Sequence, residues 1–147
     1  MKINRLSEEA IDFVIDHLSE VSRFEAEIFE QATFDLRKQF VEQIGKPFTG
    51  AFTDTDGVCF AVMFMEVLGD LKWRAHFIFT EEAFKENGIA LTLFFERFSS
   101  RLVYDTKGEI EILSVPGLDD IFQWHLSLGF QYEGRVGAAD KFIKRGN

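Results

Sequence analysis

FTEEAFKENGIALTLFFERF, residues 79–98, is the stretch on which the reading of this chain turns. It runs from an aromatic strand end through a polar segment to a single glycine, Gly88, and then into an apolar repeat. Leu91, Phe94, Phe95, Phe98 and, further on, Leu102 recur at helical spacing, with Glu96, Arg97 and Arg101 on the opposite side. The pattern predicts strand, tight turn, helix. A helix N-terminus favours anions, because its first N–H groups lack intrahelical partners and the macrodipole is positive there. Gly88 lets the backbone approach a ligand with no Cβ in the way. The segment Lys85-Glu86-Asn87-Gly88-Ile89-Ala90 is therefore suited to wrap backbone N–H groups around a phosphate.

Upstream, residues 71–80 read as a strand with Trp73, Ala75, Phe77 and Phe79 on one face and Lys72, Arg74, His76 and Ile78 on the other. Before it, Asp54-Thr55-Asp56-Gly57 separates strands at 48–53 and 58–67, a hairpin signal, and Gly69-Asp70 makes a second turn. Earlier still, residues 1–6 read as a short strand. Ser7 is placed to cap a helix with Glu8 and Glu9 in its first turn and Ile11, Val14, Ile15, Leu18 and Val21 along it. Phe24, Ile28 and Phe29 continue that stripe, either directly or after a break in the helix. A second helix spans 33–44 with Phe34, Phe40, Val41 and Ile44 on one side; Gly45 ends it and Pro47 blocks its continuation.

Downstream, Lys107-Gly108 stops the long helix, a strand covers 109–115, and Pro116-Gly117 ends it. Asp119 or Asp120 is expected to cap a short helix through 128, stopped by Gly129, with closing strands at 130–136 and 141–144 around Gly137. The order is β-α-α-β-β-β-α-β-α-β-β. It predicts an α/β (α+β) mixed sheet flanked by helices, with an antiparallel meander first and a right-handed parallel crossover around Gly88. The whole chain, 1–147, reads as one domain without repeats or linkers.

Composition limits the function. Of 147 residues, 46% are apolar and 28% charged, as in a soluble globular chain. Eighteen Phe beside two Trp and two Tyr point to a Phe-filled core. A net charge of −9 argues against a duplex nucleic-acid partner, which needs a basic face, and requires any anion site to be locally positive. Cys59 alone forms no internal disulfide, and three scattered His with no ligand-spaced carboxylates give no metal signal. No signal-peptide pattern or membrane-length apolar run is evident, so a cytoplasmic or, for a virus-derived chain, virion location is expected.

With these elements in order, the chain resembles the GCN5-related N-acetyltransferase (GNAT) superfamily over nearly its full length. Lys85-x-x-Gly88-x-Ala90, preceded by Phe84, stands where that family has Gln/Arg-x-x-Gly-x-Gly/Ala. His125-Leu126-Ser127-Leu128-Gly129-Phe130, then Gln131-Tyr132-Glu133-Gly134-Arg135, stands where the family has Tyr-x-x-Leu-Gly-Phe and a strand. Lys85 keeps a positive charge but lacks the planar fork of Arg. His125 replaces the Tyr that often protonates the leaving thiolate, and Leu118 falls near the place of a family Asn. The chain also looks like a small class of GNAT-fold proteins of short-tailed phages, some of them internal virion proteins. That likeness rests on the Phe-rich strand, on Tyr104-Asp105-Thr106 and on the Leu-Gly-Phe segment.

The resemblance implies acetyl-CoA as cosubstrate and an amine acceptor attacked directly. Such a transfer needs a positioned thioester, a polarised carbonyl, a deprotonated amine and a protonated thiolate. Glu81, Glu82, Ala83 and Phe84 would run past the thioester, and Lys85, Asn87, Gly88, Ile89 and Ala90 would hold the pyrophosphate. Candidate bases are His76, Glu66 and Glu111; Ser114 ends its strand near the expected acyl group; His125 is the candidate acid. The acidic surface would attract a basic acceptor such as a polyamine or a lysine-bearing protein. GNAT folds often form homodimers, and exposed Phe would favour one. The alternative reading is a non-catalytic GNAT-fold protein with a protein partner, such as a virion or host-interaction component.

Overall fold

The structure is a computed structural model that describes residues 1–29 and 33–146. The side chains of Phe34 and Phe84, expected in the core and at the cofactor, lie outside what it describes. The elements are β1 (Lys2–Asn4), α1 (Glu8–Asp16), α2 (Glu20–Ile28), α3 (Thr33–Val41), β2 (Gly50–Thr53), β3 (Cys59–Gly69), β4 (Lys72–Phe79), α4 (Ala83–Glu86), α5 (Gly88–Thr106), β5 (Glu109–Ser114), α6 (Asp119–Ser127), β6 (Gln131–Val136) and β7 (Ala139–Arg145). The strands form one mixed sheet in the order β1-β2-β3-β4-β5-β7-β6. The meander β1-β2-β3 is antiparallel, and β4 pairs parallel with β5 through Lys72–Glu109, Trp73–Ile110 and Arg74–Glu111.

Two compact units divide the chain, Met1–Met65 with His76–Ala90, and Glu66–Ala75 with Leu91–Asn147. In the first, Leu6, Ile11, Val14 and Leu18 pack with Leu36 and Phe40 of α3 and with Ala51, Val62, Phe64 and Ile78 of the strands. Ser7 caps α1 as expected, its side chain accepting from the Ala10 N–H at 3.2 Å. Of the two forms open to this stretch, continuous or broken, the structure has the broken one, with α1 and α2 as separate helices. Ser19 takes an extended conformation and caps α2 by accepting from the Ser22 N–H at 3.1 Å. Its own N–H donates to the Phe79 carbonyl at 2.8 Å, and Leu18 bridges Thr80, so strand-like bonding interrupts the helical run. The second predicted strand starts at Gly50, later than expected, because Phe48 sits at φ 60°, outside the extended region.

In the second unit, α5 buries Leu91, Phe95, Ser99, Leu102 and Val103. Phe95 stacks on Phe130 at 6.1 Å, and Phe142 takes Phe122 at 5.0 Å and Tyr132 at 5.5 Å. The expectation of a Phe-filled core holds in part: Phe40, Phe52, Phe60, Phe64, Phe79, Phe95, Phe130 and Phe142 are buried, whereas Phe13, Phe24 and Phe48 are exposed. Asp119 and Asp120 do not cap α6. Leu118 occupies the cap position without a side-chain bond, and both aspartates sit in the first turn, where their charge suits the dipole. The outer strand β6 is almost wholly exposed, and its ladder with β7 is irregular between Tyr132 and Gly134, where Gly134 has φ 100°.

Candidate functional site

The segment expected to cradle a phosphate follows β4 directly, but it is not an open loop. Ala83–Glu86 forms one helical turn, with Glu86 N–H donating to the Glu82 carbonyl and Asn87 N–H to the Ala83 carbonyl, both at 3.2 Å. Ala, Lys and Glu are strong helix formers, which accounts for the turn. The Asn87 amide is therefore committed to α4. Gly88 opens α5, and Ile89 is 82% exposed beside it, so the positive end of a 19-residue helix begins here. Ala83 is buried; Glu81, Glu82, Lys85 and Glu86 are exposed. Along the segment three carboxylates thus accompany one ammonium. An exposed helix N-terminus contributes about 0.3–1 kcal/mol toward an anion, too little by itself to offset them.

Glu81 has a partner other than a cofactor. Its Oε1 accepts the Glu20 N–H at 2.7 Å, capping the start of α2. His76, in the same unit, lies flat on Phe64 at 4.4 Å, and Phe64 meets Phe40 edge-on at 4.8 Å.

The two expected carboxylate bases share one face of the second unit. The Arg74 guanidinium reaches Glu111 Oε1 at 2.6 Å and Glu66 at 3.7 Å, and Lys141 reaches Glu111 Oε2 at 3.5 Å. Both oxygens of Glu111 are therefore engaged by cations. Alternation along β5 turns Ser114 to the other face with the buried Ile110 and Ile112, so Glu111 and Ser114 are not brought together. His125 is 4% exposed, 4.8 Å from Phe142 and 5.4 Å from Trp124. Burial pulls its imidazole down to about 4, which leaves it neutral at physiological pH. The acid role expected of it asks for an imidazolium that this setting disfavours. Among the described residues, Ser114 Oγ and His125 Nδ1 are the buried side-chain polar atoms with no hydrogen-bond partner.

A groove of about 520 Å³ lies wholly in the first unit, between the α1–α2 junction, the β2–β3 turn and the end of β4. Its apolar wall is Phe13, Leu18, Val58, Cys59 and Phe60; Asp16, Glu20, Asp54, Glu81, Glu82 and Glu86 ring it, with Arg23 the cation among its lining residues. Burial raises the Cys59 thiol pKa, so that wall stays uncharged. Sequence reading missed this groove, because Asp16, Glu20 and Asp54 come from three separate elements and nothing in their spacing joins them to residues 81–86.

Comparison with solved structures sets these elements against known proteins. An N-acetyltransferase, PaiA from Thermoplasma acidophilum in complex with coenzyme A, superposes with a TM-score of 0.69 at 16% identity over 98% of each chain. The fold is that of the GNAT acetyltransferases. A point mutant of spermidine N-acetyltransferase SpeG from Vibrio cholerae matches the GNAT fold of this chain with a TM-score of 0.67 at 10% identity, covering 99% of this chain and 95% of its own. A GNAT superfamily phosphinothricin acetyltransferase from Sinorhizobium meliloti in complex with AcCoA gives 0.67 at 9% identity over 98% and 87%. No known family model matches the sequence, and no curated protein matches it. At these identities the likeness is one of fold.

Proposed function

We propose that the protein is an acyl-CoA-dependent N-acyltransferase, with acetyl as the acyl group and a cationic amine as acceptor. The observation that carries this reading is the run of β4, turn and α5 within a fold that matches a coenzyme A complex over 98% of both chains. The proposed cofactor segment is Glu82–Ala90, with the N-terminal end of α5 facing the pyrophosphate and Lys85 supplying the nearby positive charge. The acceptor occupies the acidic groove of the first unit. Its apolar wall suits an alkyl chain and the carboxylates of Asp16, Glu20 and Asp54 suit ammonium groups, so a linear polyamine fits both features. SpeG, which shares the fold, is by name a spermidine N-acetyltransferase. In the reaction the neutral amine attacks the thioester carbonyl, the C–S bond breaks, the thiolate leaves with a proton, and the amine nitrogen loses one. Of the candidate bases, Glu66 and Glu111 are tied to Arg74 and His76 stacks on Phe64, and none of the three is among the residues lining the groove.

The charge around the turn favours a second reading, a GNAT-fold protein that acts by binding another protein. Glu81, Glu82 and Glu86 outnumber Lys85 there, which is unhelpful to a pyrophosphate. Isothermal titration with acetyl-CoA, with CoA as control, separates the two. The first reading predicts micromolar binding that Gly88→Trp abolishes. No heat at high ligand concentration would reject it, and pull-down of partners would then follow.

A further inference from the structure

We propose that Glu81 is a positioning residue for the acceptor groove and not a ligand of the cofactor. The proposal rests on the acceptor reading of that groove. Four contacts fasten the α1–α2 junction to the end of β4. Leu18 bridges Thr80, Ser19 N–H donates to the Phe79 carbonyl at 2.8 Å, and Phe79 N–H donates to Ser22 Oγ at 3.2 Å. The fourth is the shortest, Glu20 N–H to Glu81 Oε1 at 2.7 Å, and the one made by a charged group. Glu81 is exposed, whereas Ser19 and Ser22 are buried, so the first three contacts are held by packing and the fourth by the carboxylate alone.

Its consequence falls on the groove. Glu20 and Arg23 both come from the first turn of α2, and both line the groove together with Glu81 itself. Ser19 Oγ accepts from the Ser22 N–H, and Glu81 takes the Glu20 N–H, so that turn is capped from two sides. Without the Glu81 oxygen, the Glu20 amide loses its acceptor and the turn carrying Glu20 and Arg23 loosens. The oxygen is what matters: a glutamine in the same place still offers a carbonyl to the Glu20 N–H.

The test compares wild type, Glu81→Ala and Glu81→Gln, with acetyl-CoA as donor and spermidine as probe acceptor, alongside amide hydrogen exchange of residues 20–22 without ligand. Glu81→Ala should raise the KM for spermidine roughly tenfold, as for one charge-assisted hydrogen bond lost, with kcat and the KM for acetyl-CoA within about twofold. Exchange at residues 20–22 should quicken in Glu81→Ala, and Glu81→Gln should restore both readouts. An unchanged exchange rate in Glu81→Ala overturns the proposal. So does a KM that Glu81→Gln fails to restore, since the charge would then be touching the amine directly. If wild type shows no turnover, the acyltransferase reading fails and the acceptor role with it, while the exchange data still report on the contact itself.

Discussion

The Lys144 ammonium donates to the Leu128 carbonyl at 2.7 Å, closing the C-terminal end of α6 from the neighbouring strand β7. It also reaches Ser99 Oγ at 2.9 Å and the Glu96 carbonyl at 3.3 Å, so its three protons meet three acceptors. Gly129, the next residue, has φ 87°, and a Cβ there would lie 3.3 Å from both Lys144 Cε and Nζ. The glycine of the Leu-Gly-Phe segment is thereby explained by backbone and packing: the left-handed φ favours glycine, and a Cβ would press on the end of the Lys144 side chain.

Replacing Lys144 by Met should lower stability by about 2–3 kcal/mol, since it strips a buried carbonyl of a charged donor. Gly129→Ala should cost about 1–2 kcal/mol from backbone strain, before any displacement of Lys144. Urea denaturation checks both; a midpoint unchanged in either variant contradicts the arrangement.

His125 makes stability depend on pH. Its folded pKa, about 4, lies below the ordinary 6.5, so the unfolded chain binds the proton more tightly between those values. The contribution is whole above pH 6.5 and is lost as pH falls through 4. At about 1.4 kcal/mol for each tenfold, the loss is about 3 kcal/mol. His125→Phe should flatten that part of the stability profile and keep acyl transfer at pH 7. A large loss of kcat in that variant, in a folded protein, would show that the neutral ring takes part in the chemistry.

Glu111→Gln is expected to leave turnover within about threefold of wild type and to cost about 1–2 kcal/mol of stability, because Arg74 and Lys141 lose a partly buried counter-charge. Loss of turnover by orders of magnitude, without unfolding, would instead make Glu111 the base.

Charge reversal at the groove tests its preference. Asp16→Lys, outside the proposed cofactor segment, should raise the KM for spermidine several-fold and weaken its dependence on ionic strength, while a neutral amine acceptor is little affected. Equal effects on both acceptors would separate the groove from the substrate.

Most of the architecture was legible because it follows short-range rules. Ser7, the Asp54–Gly57 turn and the period of α5 each carry their signal within a few residues. The place of the break between α1 and α2 was not, since it depends on Ser19 and Leu18 bonding to residues about sixty positions away. The helical turn at Ala83–Glu86 was outweighed in reading by Gly88, which suggested a loop where propensity favours helix. The partners of Glu111 and Glu81 follow from strand register and from tertiary contact, neither of which a residue's neighbours in sequence disclose. Lys144 looks like any other strand lysine until the end of α6 is placed against it.

The margins of the sheet bear on how the protein behaves when concentrated. At one side β1 has three residues, all exposed; at the other β6 is kinked at Gly134 and carries Glu133, which meets Arg145 at 2.6 Å, and Arg135. A short strand and a bent, charged one are both poor templates for an incoming chain. Strand-by-strand growth into fibrils is thereby handicapped at both ends, and refolding at high protein concentration should return monodisperse material and not amyloid-like precipitate.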